Sequence, residues 1–171
     1  MRSALHPERI VVVIPCRNCG PYIEECLESL LAQTFPGWNA LVADDAAGIT
    51  VVDVSDPLRP FLFTQLDTAG HAGAVAFEGI RAAVADGPGG LVVLDLENPA
   101  TPAIAFTVPL PGTSRAVAIQ DGIAYVGSAQ GGVTGVDLLT GSLLASVSLP
   151  GNPSVSDLVR HGAFLYVWAA A

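Results

Sequence analysis

Lysine is missing from this chain altogether: the seven basic residues among its 171 are all arginine. Against them stand 16 acidic residues, for a net charge of −9, and the arginines form no cluster. A surface of that kind cannot gather phosphates, which argues against nucleic acid and against anionic membrane surfaces as partners. Long apolar runs are also lacking. No stretch approaches the roughly 18–20 residues that cross a bilayer, so no membrane span is expected. The run at 10–15 is too short for a signal h-region and has no small-residue cleavage site before Cys16. Only three cysteines occur, Cys16, Cys19 and Cys26, all near the start. An odd, bunched set does not make a disulfide framework. Aromatic residues make up 6% of the chain and charged residues 13%, while 51% is apolar. That is a globular composition, large enough for one solid core or two small ones.

What the chain does have is a phrase repeated at a fixed interval. Gly48-Ile-Thr-Val-Val-Asp53, Gly90-Leu-Val-Val-Leu-Asp95 and Gly132-Val-Thr-Gly-Val-Asp137 keep glycine and aspartate in register 42 residues apart. Self-similarity at about 40–50 residues, with several short strands per unit, is the signature of a β-propeller array. Alternation and turn residues place the strands of one unit at 115–120, 123–127, 133–138 and 143–149, with Asp121-Gly122 and Gln130-Gly131-Gly132 as turns. The unit before it matches position for position: Ala74-Val-Ala-Phe77 answers Ala116-Val-Ala-Ile119. After Pro153 the register slips by one, and Tyr166 stands where Tyr125 stood.

The residues before Gly48 follow another pattern. Arg9-Ile-Val-Val-Val-Ile-Pro15 reads as a buried strand, of the parallel kind. Pro21 suits a first helical turn, and Ile23, Cys26, Leu27, Leu30 and Leu31 recur at helical spacing opposite Glu24, Glu25 and Glu28. A second strand follows from Trp38. Strand, helix and strand in about 35 residues make a βαβ unit. The expected fold is therefore mainly β with a small α/β start. A βαβ unit occupies 1–47, and an incomplete propeller occupies 48–171 in units of 48–89, 90–131 and 132–171.

Two resemblances attach to these parts. Val12-Val-Ile-Pro-Cys-Arg-Asn18, Tyr22-Ile-Glu-Glu-Cys-Leu-Glu-Ser-Leu-Leu-Ala-Gln-Thr-Phe-Pro36 and the stretch from Trp38 to Asp45 resemble the opening of family 2 glycosyltransferases. These are inverting enzymes that use nucleotide-diphosphate sugars. The resemblance implies that Pro15, Asn18, Asp44 and Asp45 hold the base and ribose of a donor, with Mg²⁺ or Mn²⁺ as the accompanying ion. An aspartate at a strand's carboxyl end can accept from such groups, in the crevice where open α/β sheets bind ligands. The chain departs from the family at Arg17, where an aromatic residue is usual, and at Ala46-Ala47-Gly48, which replaces a polar loop. A competing alignment of Gly70-His-Ala-Gly-Ala74, Gly79-Ile-Arg-Ala-Ala83 and Leu91 to Glu97 imitates the family's donor helix and acidic motif. It makes Asp95 and Glu97 weak candidates for a divalent cation.

Val51-Val-Asp-Val-Ser-Asp-Pro-Leu-Arg-Pro60 and Val92-Val-Leu-Asp-Leu-Glu-Asn-Pro-Ala-Thr-Pro102 resemble LVIVD repeats, a bacterial and archaeal propeller family. That resemblance implies a scaffold, often on exported or surface proteins. A chain without a signal peptide is cytoplasmic by default, so the compartment stays open. At the seam the two patterns overlap: Ala40-Leu-Val-Ala-Asp44 aligns with Ala82-Ala-Val-Ala-Asp86, and Asp44 is either a nucleotide ligand or a turn residue.

The isolated residues point to structure more than to chemistry. Cys16 and Cys19 have the spacing of half a zinc site without a second half. His6, His71 and His161 are scattered and do not repeat. No Gly-x-Ser-x-Gly elbow accompanies the serines. Trp38, Tyr125, Tyr166 and Trp168 are expected to pack between sheets. The expected function is a binding or scaffolding module, a fragment or fusion without complete catalytic machinery, and no catalytic residue is assigned. Its partner is an unnamed protein or surface ligand, and open sheet edges allow self-association. No cofactor is expected in that reading. The alternative is an inverting glycosyltransferase-like protein that binds a nucleotide-diphosphate sugar.

Overall fold

The computed structural model describes residues 10–16, 38–44, 48–53, 61–98 and 101–170, with side chains from residue 48 onwards except 53 and 61–63. The expected helix after Pro21, together with Asn18, Asp45 and the Asp56-Pro57 step, lies outside the described residues. Fourteen strands and no helix are found among the described residues. No helix there is long and apolar enough to cross a membrane.

The strands form three four-stranded sheets and a two-stranded one. The first sheet holds β1 (Ile10–Cys16), β2 (Trp38–Asp44), β3 (Gly48–Asp53) and β4 (Phe61–Leu66), in that order. The second holds β5 (Ala74–Glu78), β6 (Arg81–Ala85), β7 (Leu91–Asp95) and β8 (Ala103–Val108). The third holds β9 (Ser114–Gln120), β10 (Ile123–Ser128), β11 (Gly132–Asp137) and β12 (Leu143–Ser148). The last pairs β13 (Ser154–His161) with β14 (Phe164–Ala170). The second and third sheets are antiparallel meanders, and the strand bounds of the third agree with the sequence pattern to within a residue. The leading strands β1, β5, β9 and β13 lie successively beside one another, so the sheets stand in series about their first strands.

The 42-residue period is visible in backbone detail. The pairing of third and fourth strands shifts register between Val51 and Val52, again between Val93 and Leu94, and again between Gly135 and Val136. The Leu96 N–H donates to Ile80 O, and the Leu138 N–H donates to Gly122 O, one period on. Gly48 and Gly90 both have φ near +80°. A Cβ at either would lie 2.4 Å from a carbonyl oxygen, that of Leu66 or Val108, so only glycine fits at these two positions.

Apolar layers separate the sheets. Ile49 and Leu66 of the first sheet pack with Val75, Val84, Val92 and Leu94 of the second. The other face of the second sheet puts Ala83, Ala85, Leu91 and Val93 against Val117, Ala124, Val126 and Val136 of the third. Ala116, Ala118 and Val133 then meet Val155, Leu158, Leu165 and Val167 of the last pair. Burial on both faces explains why 82–85 and 91–94 read as unbroken apolar runs instead of alternating.

The first sheet alone is mixed. β1 runs parallel to β2 from Ile10↔Trp38 to Cys16↔Asp44, while β2 pairs antiparallel with β3 from Asp44↔Gly48. One strand thus closes the parallel pair and opens the first meander, as the overlap at the seam implied. The sheet runs continuously across the sequence boundary at 47/48.

Candidate functional site

Two places could carry chemistry: the carboxyl ends of the parallel strands, and the polar turns that tie the meanders together. At the first, Pro15 pairs with Ala43 and Cys16 with Asp44, so Pro15 and Asp44 sit on neighbouring strands at the same end. This is where an open parallel sheet presents ligands. Their companions Asn18 and Asp45 fall outside the described residues. Asp44 also opposes Gly48 across the β2–β3 turn, and its equivalent Asp86 donates its N–H to Gly90 O, one period later.

Asp86 is the least expected residue of the second place, a carboxylate only 1% exposed. The Thr68 hydroxyl donates to its Oδ1 at 2.7 Å, and the Gly70 N–H donates to its Oδ2 at 2.9 Å. Its own carbonyl accepts from the His71 and Gly89 N–H groups. The carboxylate therefore fastens the connection between the first and second sheets onto the β6–β7 turn. A buried carboxylate is tolerable when its oxygens find donors in this way. In the third sheet Gln130 does comparable work, its Oε1 accepting from the Thr113 N–H at 2.7 Å and the Ser128 hydroxyl at 2.8 Å. The signal in sequence was a polar residue closing each second strand: Asp44, Asp86 and Ser128, 42 apart.

Two of the periodic aspartates, Asp95 and Asp137, cap turns. Asp95 Oδ1 accepts the Glu97 N–H at 2.9 Å, and Asp137 Oδ1 accepts the Leu139 N–H at the same distance. Asp137 also takes the Thr140 N–H and hydroxyl. These donors, led by the Thr140 N–H, hold its carboxyl below the ordinary value of 3.8. Asp95 Oδ2 lies 3.3 Å from Arg81 Nη1, an ion pair without hydrogen-bond alignment, since that nitrogen has no hydrogen-bond acceptor. Both Asp95 oxygens are thus committed, one to the turn and one to Arg81. Among the described residues no three His, Cys, Asp or Glu side chains converge as a metal site.

Neighbouring sheets are also joined at their hairpin ends. The Glu78 carboxylate accepts the N–H groups of Asp121 and Gly122, at 2.9 and 2.7 Å, in the turn of the next sheet. Arg160 Nη1 donates to Asp121 Oδ2 at 3.1 Å, and the guanidinium lies 5.4 Å from the centre of the Tyr125 ring.

One expectation is corrected. Tyr166 and Trp168 do not pack between sheets: they are 50% and 54% exposed, with Phe164 beside them more open still. Leu165 and Val167 turn inward, and alternation along the strand turns the three aromatics to the face that no described sheet covers. Tyr125, at the equivalent place in the third sheet, is half-buried because the last pair lies against it.

The class defined by this geometry is a mainly β protein of repeated four-stranded sheets with a parallel pair at its start. The family model for "Glycosyl transferase family 2" matches residues 11–95, from the first strand to the aspartate of the second sheet. No curated protein matches the chain. Among solved structures it is similar to the computationally designed Ika8 protein, with a TM-score of 0.62 and 20% identity over 77% of this chain and 39% of that one. The computationally designed Ika4 protein is similar too, with a TM-score of 0.57 and 20% identity over 77% of this chain and 84% of that one. So is apo AztD from Citrobacter koseri, with a TM-score of 0.52 and 17% identity over 72% of this chain and 37% of that one. The chain therefore spans well under half the length of two of these three structures. At such identities the likeness concerns fold alone.

Proposed function

We propose that the chain is a β-propeller module of LVIVD-like repeats that serves binding or scaffolding, with its turns as the recognition surface. The observation that carries this reading is the serial placement of β1, β5, β9 and β13, with the register shift recurring every 42 residues. Sheets set side by side by their first strands and separated by apolar layers are what a propeller requires. The carboxylates of Asp86, Asp95, Asp137 and Glu78 are occupied with turns and connections, which supports a scaffold over a catalyst.

A second reading rests on its own observation. The family match over 11–95, together with the adjacent carboxyl ends of β1 and β2, favours nucleotide-diphosphate-sugar binding through Pro15, Asn18, Asp44 and Asp45, with Mg²⁺ or Mn²⁺ accompanying the diphosphate. Titration of a UDP-sugar with Mn²⁺, followed by thermal shift, separates the two. No response, in the native chain or in Asp44→Ala with Asp45→Ala, leaves the binding module. Saturable stabilisation lost in the double variant establishes the nucleotide site instead.

A further inference from the structure

Two steps in this chain set glycine after aspartate, Asp86-Gly87 and Asp121-Gly122. Such a step is chemically labile. Glycine has no side chain to shield its nitrogen, which can attack the preceding carboxyl carbon and close a five-membered ring. The fold treats the two steps in opposite ways. Asp86 is 1% exposed and both its carboxylate oxygens accept hydrogen bonds, so neither water nor base reaches it. The Asp121 side chain is 74% exposed, at the tip of the β9–β10 hairpin.

Asp121 also stands where the neighbouring hairpins have glycine. Gly79 of the β5–β6 turn and Gly162 of the β13–β14 turn have φ of 61° and 59°, and Asp121 has φ of 56°. With Gly122 at 74°, between the paired Gln120 and Ile123, this is a two-residue type I′ turn. In such a turn ψ of the first residue is about +30°, which puts the following nitrogen nearly anti to Cβ across the Cα–C bond. Ring closure needs the two eclipsed. The turn must therefore rotate before the Gly122 nitrogen can reach the Asp121 carboxyl carbon.

Neighbouring sheets oppose that rotation. The Gly122 N–H donates to Glu78 Oε2 at 2.7 Å, and the Asp121 N–H donates to Glu78 Oε1 at 2.9 Å. Arg160 Nη1 donates to Asp121 Oδ2 at 3.1 Å. The second sheet thus holds the nucleophile, while the last pair of strands holds the electrophile.

We propose that Asp121-Gly122 is a site of spontaneous isoaspartate formation, and that Glu78 and Arg160 form a clamp that governs its rate. Once the clamp opens, the Gly122 nitrogen attacks Asp121 Cγ. A C–N bond forms and a C–O bond breaks; the amide proton leaves with the carboxyl hydroxyl as water. One water then opens the succinimide. Attack at one carbonyl restores Asp121, and attack at the other leaves a main chain that runs through Cβ and Cγ. That backbone is one carbon longer and no longer fits a two-residue turn, so the modification unties the second sheet from the third. The inference rests on neither reading of the function.

The test ages the native chain, Glu78→Ala, Arg160→Ala, Thr68→Val and a synthetic peptide copying residues 115–127 side by side in oxygen-18 water. Label uptake counts each ring opening, and fragmentation mass spectrometry of the digested chain locates it. In the native chain Asp121 should react at no more than about a tenth of the peptide's rate, because reaction requires local opening of the hairpin. Glu78→Ala should react at least about fivefold faster than native, since opening no longer breaks two charge-assisted bonds. Arg160→Ala should give a smaller rise, about twofold. Glu78 lies at an exposed turn, so Glu78→Ala should keep the native circular dichroism spectrum. Thr68→Val, destabilised away from this turn, should stay at the native rate, and Asp86 should stay unlabelled in the native chain. Reaction of the native chain as fast as the peptide overturns the clamp, as does a Glu78→Ala rate equal to native. An equal rise in Thr68→Val traces the reaction to global unfolding and also overturns it. Absence of label at Asp121 in Glu78→Ala, once the peptide has fully reacted, overturns the site itself.

Discussion

Replacing Asp86 by alanine should cost more than any single change at an exposed residue, and the cost can be worked from its two bonds. The carboxylate is buried and accepts one hydrogen bond from the buried Thr68 hydroxyl and one from the half-buried Gly70 N–H. Removing it strands both donors. A buried donor left without a partner costs about 1–3 kcal/mol, and the Gly70 group can recover part of this from water. Asp86→Ala should therefore destabilise by about 3 kcal/mol. With a urea m-value of roughly 2 kcal/mol/M, the unfolding midpoint would fall by about 1.5 M. Thr68→Val removes only one donor and should cost about 1–2 kcal/mol. The two changes share a bond, so the double variant should fall short of their sum by about 1 kcal/mol or more. Asp86→Asn keeps one acceptor but turns an N–H₂ towards a donor, and should fall between native and alanine. Equilibrium unfolding of the native chain and the four variants, followed by circular dichroism, gives all these values. A midpoint shift under about 0.3 M for Asp86→Ala, or full additivity with Thr68→Val, would refute the view that this carboxylate fastens the first connection.

Gly90→Ala should destabilise by more than about 1 kcal/mol, because positive φ is joined there to a 2.4 Å approach to Val108 O. Gly122→Ala, also at positive φ but with open space around it, should cost less; chemical unfolding of both ranks them. Glu78→Gln weakens a charged acceptor at the exposed turn of the next sheet and should shift stability by no more than about 1 kcal/mol, with the difference shrinking in high salt. Asp137 titrates lower in the folded chain than in the unfolded one, so its contribution is present above the unfolded value near 3.8 and fades as pH falls through the folded one. Thr140→Val removes one of its donors and should bring the Asp137 carboxyl pKa, followed by NMR, back upwards. The Asp44→Ala with Asp45→Ala variant should leave thermal response to UDP-sugar and Mn²⁺ flat, as in the native chain, if the module reading is right.

Much of the fold was legible because strands and turns are local. Glycines at 48, 90 and 132, alternation at 115–120 and the Asp121-Gly122 turn each report geometry set by a few neighbouring residues. The first site was legible only as a resemblance, since Pro15 and Asp44 acquire a common edge through pairing across 28 residues of chain. The polar ties were harder to read. Asp86 looks like any turn aspartate until Thr68 and Gly70, 18 and 16 residues earlier, are brought over it. Glu78 gives no local sign that its acceptor role lies in a turn 43 residues away.

Sequence alone, then, determined the 42-residue unit, its strands and the change of pattern before Gly48, because chain stiffness and side-chain alternation act over short distances. Tertiary structure decided which strand joined which sheet, which carboxylate was buried and which aromatics were left open. Those outcomes depend on what lies across an apolar layer, and that neighbour is supplied by residues a whole unit away. Tyr125 and Tyr166 make the point: the same residue at the same place in its hairpin is half-buried in one sheet and open in the other.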